Sequence, residues 1–195
     1  GDASGTANPV TVTMDAAKGI TATFSLNQYA LTVATTGTGA GSIANNPSGT
    51  TFAHGTVVTL TATADVGSTF SGWSGDVTSA TNPVTVTMDA AKGITATFSL
   101  NQYALTVATT GTGAGSIANN PSGTTFAHGT VVTLTATADV GSTFSGWSGD
   151  ASGTANPVTV TMDAAKGITA TFSLNQYALT VATTGTGAGS IANNP

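Results

Sequence analysis

The chain contains no cysteine, no arginine and no glutamate. Without cysteine there are no disulfides, thiolate metal sites or cysteine nucleophiles. Without arginine, and with only three lysines, there is no basic footprint for nucleic acid or an anionic membrane surface. All eight acids are aspartate, the net charge is −5, and only 6% of the 195 residues are charged. An ordinary soluble domain carries about 25%. The surface must therefore be covered by Thr, Ser, Asn, Gly and Ala, and such a surface tolerates close self-association. Long apolar runs are missing too: nothing approaches the roughly 18 residues of a membrane-spanning helix, so no membrane insertion is expected. No signal peptide or sorting motif is evident. The chain opens and closes in mid-repeat and reads as a segment of something longer.

What is present is repetition. The run from Asn27 to Asp76 returns letter for letter from Asn101 to Asp150, and its first part returns from Asn175 to Pro195, a spacing of 74 residues. The copies differ only in one window. Residues 77–81 read VTSAT, whereas 3–7 and 151–155 read ASGTA. A fixed period of this size marks a tandem array. Catalytic sites are seldom copied in tandem, while spacers and polymers are built that way. The expected organisation is the C-terminal part of a repeat at 1–26, complete repeats at 27–100 and 101–174, and the N-terminal part of a repeat at 175–195.

Within one repeat, period-2 alternation predicts about six strands. They are Tyr29 to Val33, Ser42 to Ala44, Thr56 to Ala64, Thr69 to Trp73, Pro83 to Met88 and Ile94 to Phe98. The punctuation is turn chemistry: the glycine-rich Thr36 to Gly41, the cluster Asn45 to Gly49, His54-Gly55, Asp65-Val66-Gly67 and Asp89 to Gly93. Strands are also expected in the partial repeats, at Pro9 to Met14, Ile20 to Leu26, Tyr177 to Val181 and Ser190 to Ala192. No stretch has sustained helical periodicity. The expected core is Tyr29, Leu31, Val33, Ile43, Phe52, Val58, Leu60, Phe70, Trp73, Val84, Val86, Met88, Ile94 and Phe98. The link between repeats, Ser99 to Gln102, is short, with Leu26, Leu100 and Leu174 as candidate apolar contacts. It favours a stiff array over loose beads.

The succession YALTV, a GTG turn, FAHGTVVTLTA, TFSGWSGD, NPVTVTMD and ITATF resembles the divergent internalin-type B-repeat family. The resemblance covers each whole period, and GWSGD with a closing ITATF is its most specific part. It implies an all-β fold of small modules, β-grasp-like or sandwich. It also implies an extracellular location on a bacterial surface or secreted protein, a spacer or adhesive role, and no catalytic residues.

Each chemical motif has a plainer reading. Gly37, Gly39 and Gly41 give G-x-G-x-G, but a phosphate loop leads from a strand into a helix, and here a strand follows. Asp65, Asp76 and Asp89 lack the spacing of a calcium loop and suit self-capping turns. His54 has no companion ligand for zinc, and no serine sits in a nucleophile elbow. Trp73 and Tyr29 could stack on a sugar, but they fall where a core needs bulk. Lys92 could form an isopeptide crosslink only if buried beside an acid. The outward sets Thr59/Thr61/Thr63, Thr85/Thr87 and Thr95/Thr97 fit β-propensity on a solvent face. They could also contact ice, sugar or another chain. No catalytic, cofactor or metal residue is assigned. The expectation is a non-enzymatic extracellular array whose partners are neighbouring repeats and other copies of the same chain. The rival readings are a self-assembling filament built by strand pairing, and a sugar- or ice-binding module.

Overall fold

The computed structural model describes residues 1–192. It is all-β, with 14 strands and no helix among those residues. The chain forms two compact units, Gly1–Asp65 with Phe70–Ser99, and Val66–Thr69 with Leu100 onward.

The first module has seven strands: β1 (Gln28–Gly37), β2 (Gly41–Asn46), β3 (Thr51–Ala53), β4 (Val57–Ala64), β5 (Ser68–Gly75), β6 (Val84–Thr87) and β7 (Lys92–Leu100). The strand beyond the six expected is β3, three residues that bury Phe52. Alternation drives the rest. In β4, Val58, Leu60 and Ala62 are buried while Thr61 and Thr63 face solvent; in β7, Ile94, Ala96 and Phe98 are buried.

Two sheets enclose one core. The first has the order β3-β1-β7-β5 and the second β2-β4-β6. In the first, β1 and β7 run parallel, with Leu31 opposite Lys92 through Gly37 opposite Phe98. The second is antiparallel throughout. The module thus combines both expected forms. Its first and last strands pair at the middle of a mixed sheet, as in a β-grasp, and a second sheet closes the core, as in a sandwich. The core joins Leu31, Trp73, Ile94 and Phe98 of the first sheet to Val58, Leu60 and Val86 of the second, with Met88 fully buried beside them. Tyr29, Ile43, Phe70 and Val84 pack at its margin. Val33 departs from expectation. Its period-2 position puts it on the same face as buried Leu31, yet it is 39% exposed.

The second module, Gln102–Leu174, repeats this arrangement strand for strand, including the parallel pair of its first strand, β8 (Gln102–Gly111), and its last, β14 (Lys166–Leu174). The partial repeats do not follow. Pro9 to Met14, Ile20 to Leu26, Tyr177 to Val181 and Ser190 to Ala192 form no strand. In the two complete modules the first strand pairs with the last; among the described residues, 1–26 and 175–192 take part in no sheet. Phe24 is 90% exposed and Tyr177 83%, whereas Phe98 is fully buried.

Candidate functional site

The residues singled out as chemical candidates are mostly occupied with the module's own backbone. Trp73 in β5 is 3% exposed. Its ring lies 5.1 Å from that of Phe70, which meets Phe98 edge-on at 5.8 Å. Its indole N–H donates to the Thr81 carbonyl at 3.1 Å, and its backbone N–H donates to the Ser79 carbonyl at 2.7 Å. The variable window is therefore the cap over the tryptophan. In the second module the indole of Trp147 donates to the Ala155 carbonyl at 2.9 Å and its backbone N–H to that of Gly153 at 2.8 Å. Both windows hold the ring through backbone carbonyls, while their first residues, Val77 and Ala151, pack on the core. Tyr29 is half-buried against His54, ring centroids 5.9 Å apart. Neither aromatic forms an open stacking platform.

The glycine motif is a packing device. Gly37 has φ 107°, and a Cβ there would collide with the Phe98 carbonyl. A Cβ on Gly41 would strike the Phe98 ring. Strand β2 follows the turn, so no helix N-terminus stands ready for a phosphate.

The aspartates do not converge. Asp76 accepts a hydrogen bond from the Gly93 N–H at 2.6 Å, while its own N–H donates to the Gly93 carbonyl at 3.0 Å. The same bracket joins Asp150 to Gly167 and Asp2 to Gly19. Asp89 pairs with Lys92 at 2.6 Å, and Asp163 with Lys166 at 2.7 Å. The hydrogen bond from Lys92 holds the Asp89 carboxyl below its ordinary value, and the reciprocal bond raises the Lys92 ammonium. Asp163 and Lys166 shift likewise. Among the described residues no group of three His or Asp side chains is placed to hold a metal. His54 is exposed. Its repeat-equivalent, His128, is half-buried in the second unit with Nδ1 buried and unpaired, its ring against Gly67.

Two features remain open to a partner. One is the outer face of the β2-β4-β6 sheet. Thr61, Thr63, Thr85 and Thr87 are exposed there and Thr59 half-exposed, with Thr59 opposite both Thr85 and Asn46. This face carries hydroxyls and no charge. Thr95 and Thr97 lie on the other sheet, half-buried, so the threonine sets do not form one continuous array. The other is the edge of β1 beyond Ala30, where β3 ends, beside a shallow groove of about 460 Å³ lined by Leu31, Val33, Asn45, Gly49 and Thr50. Periodicity did not reveal this edge, since strand order is not written in alternation.

The chain is a tandem array of closed β modules. It belongs to the divergent InlB B-repeat family, whose domain matches residues 31–102 and 105–176. No curated protein sequence matches it. Among solved structures it is similar to the major pilin protein T-13 of Streptococcus pyogenes, with a TM-score of 0.34 and 15% identity, covering 61% of this chain and 66% of the pilin chain.

Proposed function

We propose that this chain is a non-enzymatic, extracellular structural array: a stalk, spacer or adhesive segment of a bacterial surface or secreted protein. The observation that carries the reading is the closure of each module by its own first and last strands, β1 on β7, repeated in the second module. A parallel pair spanning a whole repeat makes each copy one cooperative block. Family membership supports the same reading. So does the employment of Trp73, Asp76 and Lys92 in holding loops rather than facing a common cleft.

Stretching the chain by its ends tests the mechanical part. Each module should yield as one event, releasing about 25 nm of contour (74 residues at ~3.4 Å each) less its folded length. Two equal steps per chain are expected, and smooth extension without steps would sink the reading. Antibody labelling of intact cells tests location, since protein found only after lysis is incompatible with a surface role. A second reading, a filament built from paired strands, is favoured by the open edge of β1.

A further inference from the structure

His54 and His128 occupy the same place in their modules, yet only one of them is covered. Each follows the short third strand, β3 or its equivalent Thr125–Ala127. Each meets a tyrosine ring, Tyr29 at 5.9 Å and Tyr103 at 6.0 Å. Each lies within electrostatic reach of an aspartate already paired with a lysine, Asp89 with Lys92 and Asp163 with Lys166. His54 is nonetheless exposed, whereas His128 is half-buried and its Nδ1 is buried without a partner. The difference is a turn. Gly67, with φ 76°, lies so close to the His128 ring that a Cβ there would strike Cδ2 and Cγ. Its repeat-equivalent Gly141, with φ 82°, has nothing within 4 Å of the same point. Positive φ asks for glycine at both positions, and only at Gly67 does a ring also occupy the space.

Asn101 fixes the approach. Its N–H donates to the Gly67 carbonyl at 2.8 Å, and its carbonyl accepts from the His128 N–H at 2.8 Å. Its side-chain oxygen accepts from the Thr69 hydroxyl at 2.6 Å. One residue thus bridges the turn and the histidine backbone, and Val66–Thr69 belongs to the second unit.

The buried Nδ1 sets what this seat tolerates. A neutral imidazole can carry its proton on Nε2 and leave only a lone pair on Nδ1. An imidazolium has an N–H on both nitrogens, and on Nδ1 that N–H has no acceptor. A charged donor buried without a partner costs far more than a buried lone pair. No neighbouring group repairs this. The Val66–Thr69 turn carries no titratable side chain. Tyr103 meets the imidazole ring to ring. The Asp163 carboxylate is engaged by Lys166 at 2.7 Å and does not bond Nδ1. An equivalent ion pair flanks His54, so its pull on a proton is common to both rings.

We infer that His128 is an acid-released latch on the Val66–Thr69 turn. The neutral ring seats on Gly67, and protonation drives it out to the exposed setting that His54 already has. Asn101 alone then holds the turn. Histidine takes up its proton between about pH 8 and 5, so the latch is shut at neutral pH and opens as pH falls through that range. The ring belongs to neither core cluster, so the modules stay folded when it leaves. The inference goes beyond the reading of the chain as a structural array and does not rest on it.

Imidazole NMR of the full chain is the test, since the chain has only two histidines. The variant H54Q, altered at an exposed position, assigns the pair. Ring nitrogen shifts report protonation, and a nuclear Overhauser contact between His128 Hδ2 and Gly67 Hα reports seating. At about pH 8 the contact should be present with the ring neutral, and at about pH 5 it should be absent with the ring charged. His54 should show no such contact at either pH. H128F keeps a ring but has no proton to gain, and should hold its contact with Gly67 at both. The inference is overturned if the charged His128 ring keeps the contact, if the neutral ring lacks it, or if H128F loses it in acid. Loss of the contact only when circular dichroism shows the modules unfolding also overturns it, since the ring would then leave with the fold and not by its own charge.

Discussion

The side-chain amide of Asn82 pairs with the backbone of Ala62 as a neighbouring strand would. Its Nδ2 donates to the Ala62 carbonyl at 2.7 Å, and its Oδ1 accepts from the Ala62 N–H at 2.9 Å. The ladder between β4 and β6 runs from Val57 opposite Thr87 to Leu60 opposite Val84 and stops there. The next residue of β4 facing that way is Ala62. In that register the residue opposite Ala62 is Asn82 itself, and its side-chain amide supplies the donor and the acceptor that a backbone pair would have given. Asn156 does the same for Ala136.

Replacing Asn82 and Asn156 by alanine should therefore leave a part-buried donor and acceptor unpaired in each module. The expected cost is about 1–2 kcal/mol per module, a fall in melting temperature of roughly 4–15 °C for a domain of this size. Aspartate should be no better than alanine, because it keeps the acceptor but turns a second oxygen toward the Ala62 carbonyl. Thermal unfolding followed by circular dichroism reads the difference. A melting temperature unmoved in N82A/N156A would show that water replaces the clamp at no loss.

The variable window should matter less. Grafting ASGTA onto residues 77–81 keeps the carbonyl bonds to Trp73 and exchanges surface side chains, except that Val77, partly buried against the core, becomes alanine. The expected cost is about 1 kcal/mol or less, that of removing partly buried methyl groups. W73A, by contrast, empties the core position that Phe70 packs against and should cost about 3–5 kcal/mol. W73F should fall between, losing the bond to Thr81 while keeping most of the ring. Denaturant titration with tryptophan fluorescence measures the graft, and circular dichroism measures the two tryptophan variants.

Much of this was legible in the letters. Alternation located each strand of the complete modules except β3, which at three residues is too short to express a period. It also located the core, because Val58, Leu60, Ile94 and Phe98 follow period 2 without a break. It misplaced Val33, since alternation gives the direction of a side chain but not how far the core extends beneath it. The parallel pairing of β1 with β7 could not be read at all. It joins residues about sixty apart, and nothing local encodes it. The stretches expected as strands at 9–14, 20–26, 177–181 and 190–192 carry the same local pattern and lie in no sheet, so alternation alone does not make a strand. The Asn82 clamp had a faint signal, an Asn-Pro step just ahead of an alternating strand in every copy.

The ion pairs predict a flat stability profile with falling ends. The Asp89 and Asp163 carboxyls are held below their ordinary value of 3.8. Such groups contribute stability above that value and lose it as pH falls through the lowered one. The Lys92 and Lys166 ammonium groups are raised above 10.5, so their contribution is present below that value and lost as pH rises past the raised one. With all four groups at the surface the gain is small. The melting temperature should stay level between about pH 5 and 9 and decline outside that range. D89N with D163N should shallow the acid decline without steepening the plateau. An optimum inside the plateau would mean that some other group governs stability.

Limited trypsin digestion separates closed modules from unclosed repeats. The enzyme has only Lys18, Lys92 and Lys166 to cut. The three sit at equivalent positions, and each pairs with an aspartate three residues before it. Local sequence and local contacts are thus nearly the same. What differs is that Lys92 and Lys166 open β7 and β14, each paired to the first strand of its module, whereas Lys18 opens no strand. Cleavage requires several residues to leave their ladder and enter the protease, so it tracks local opening rather than side-chain exposure. Lys18 should be cut at least tenfold faster than the other two, as judged by mass spectrometry of the released 1–18 fragment. Equal rates at all three would mean that the parallel pair does not hold the module shut.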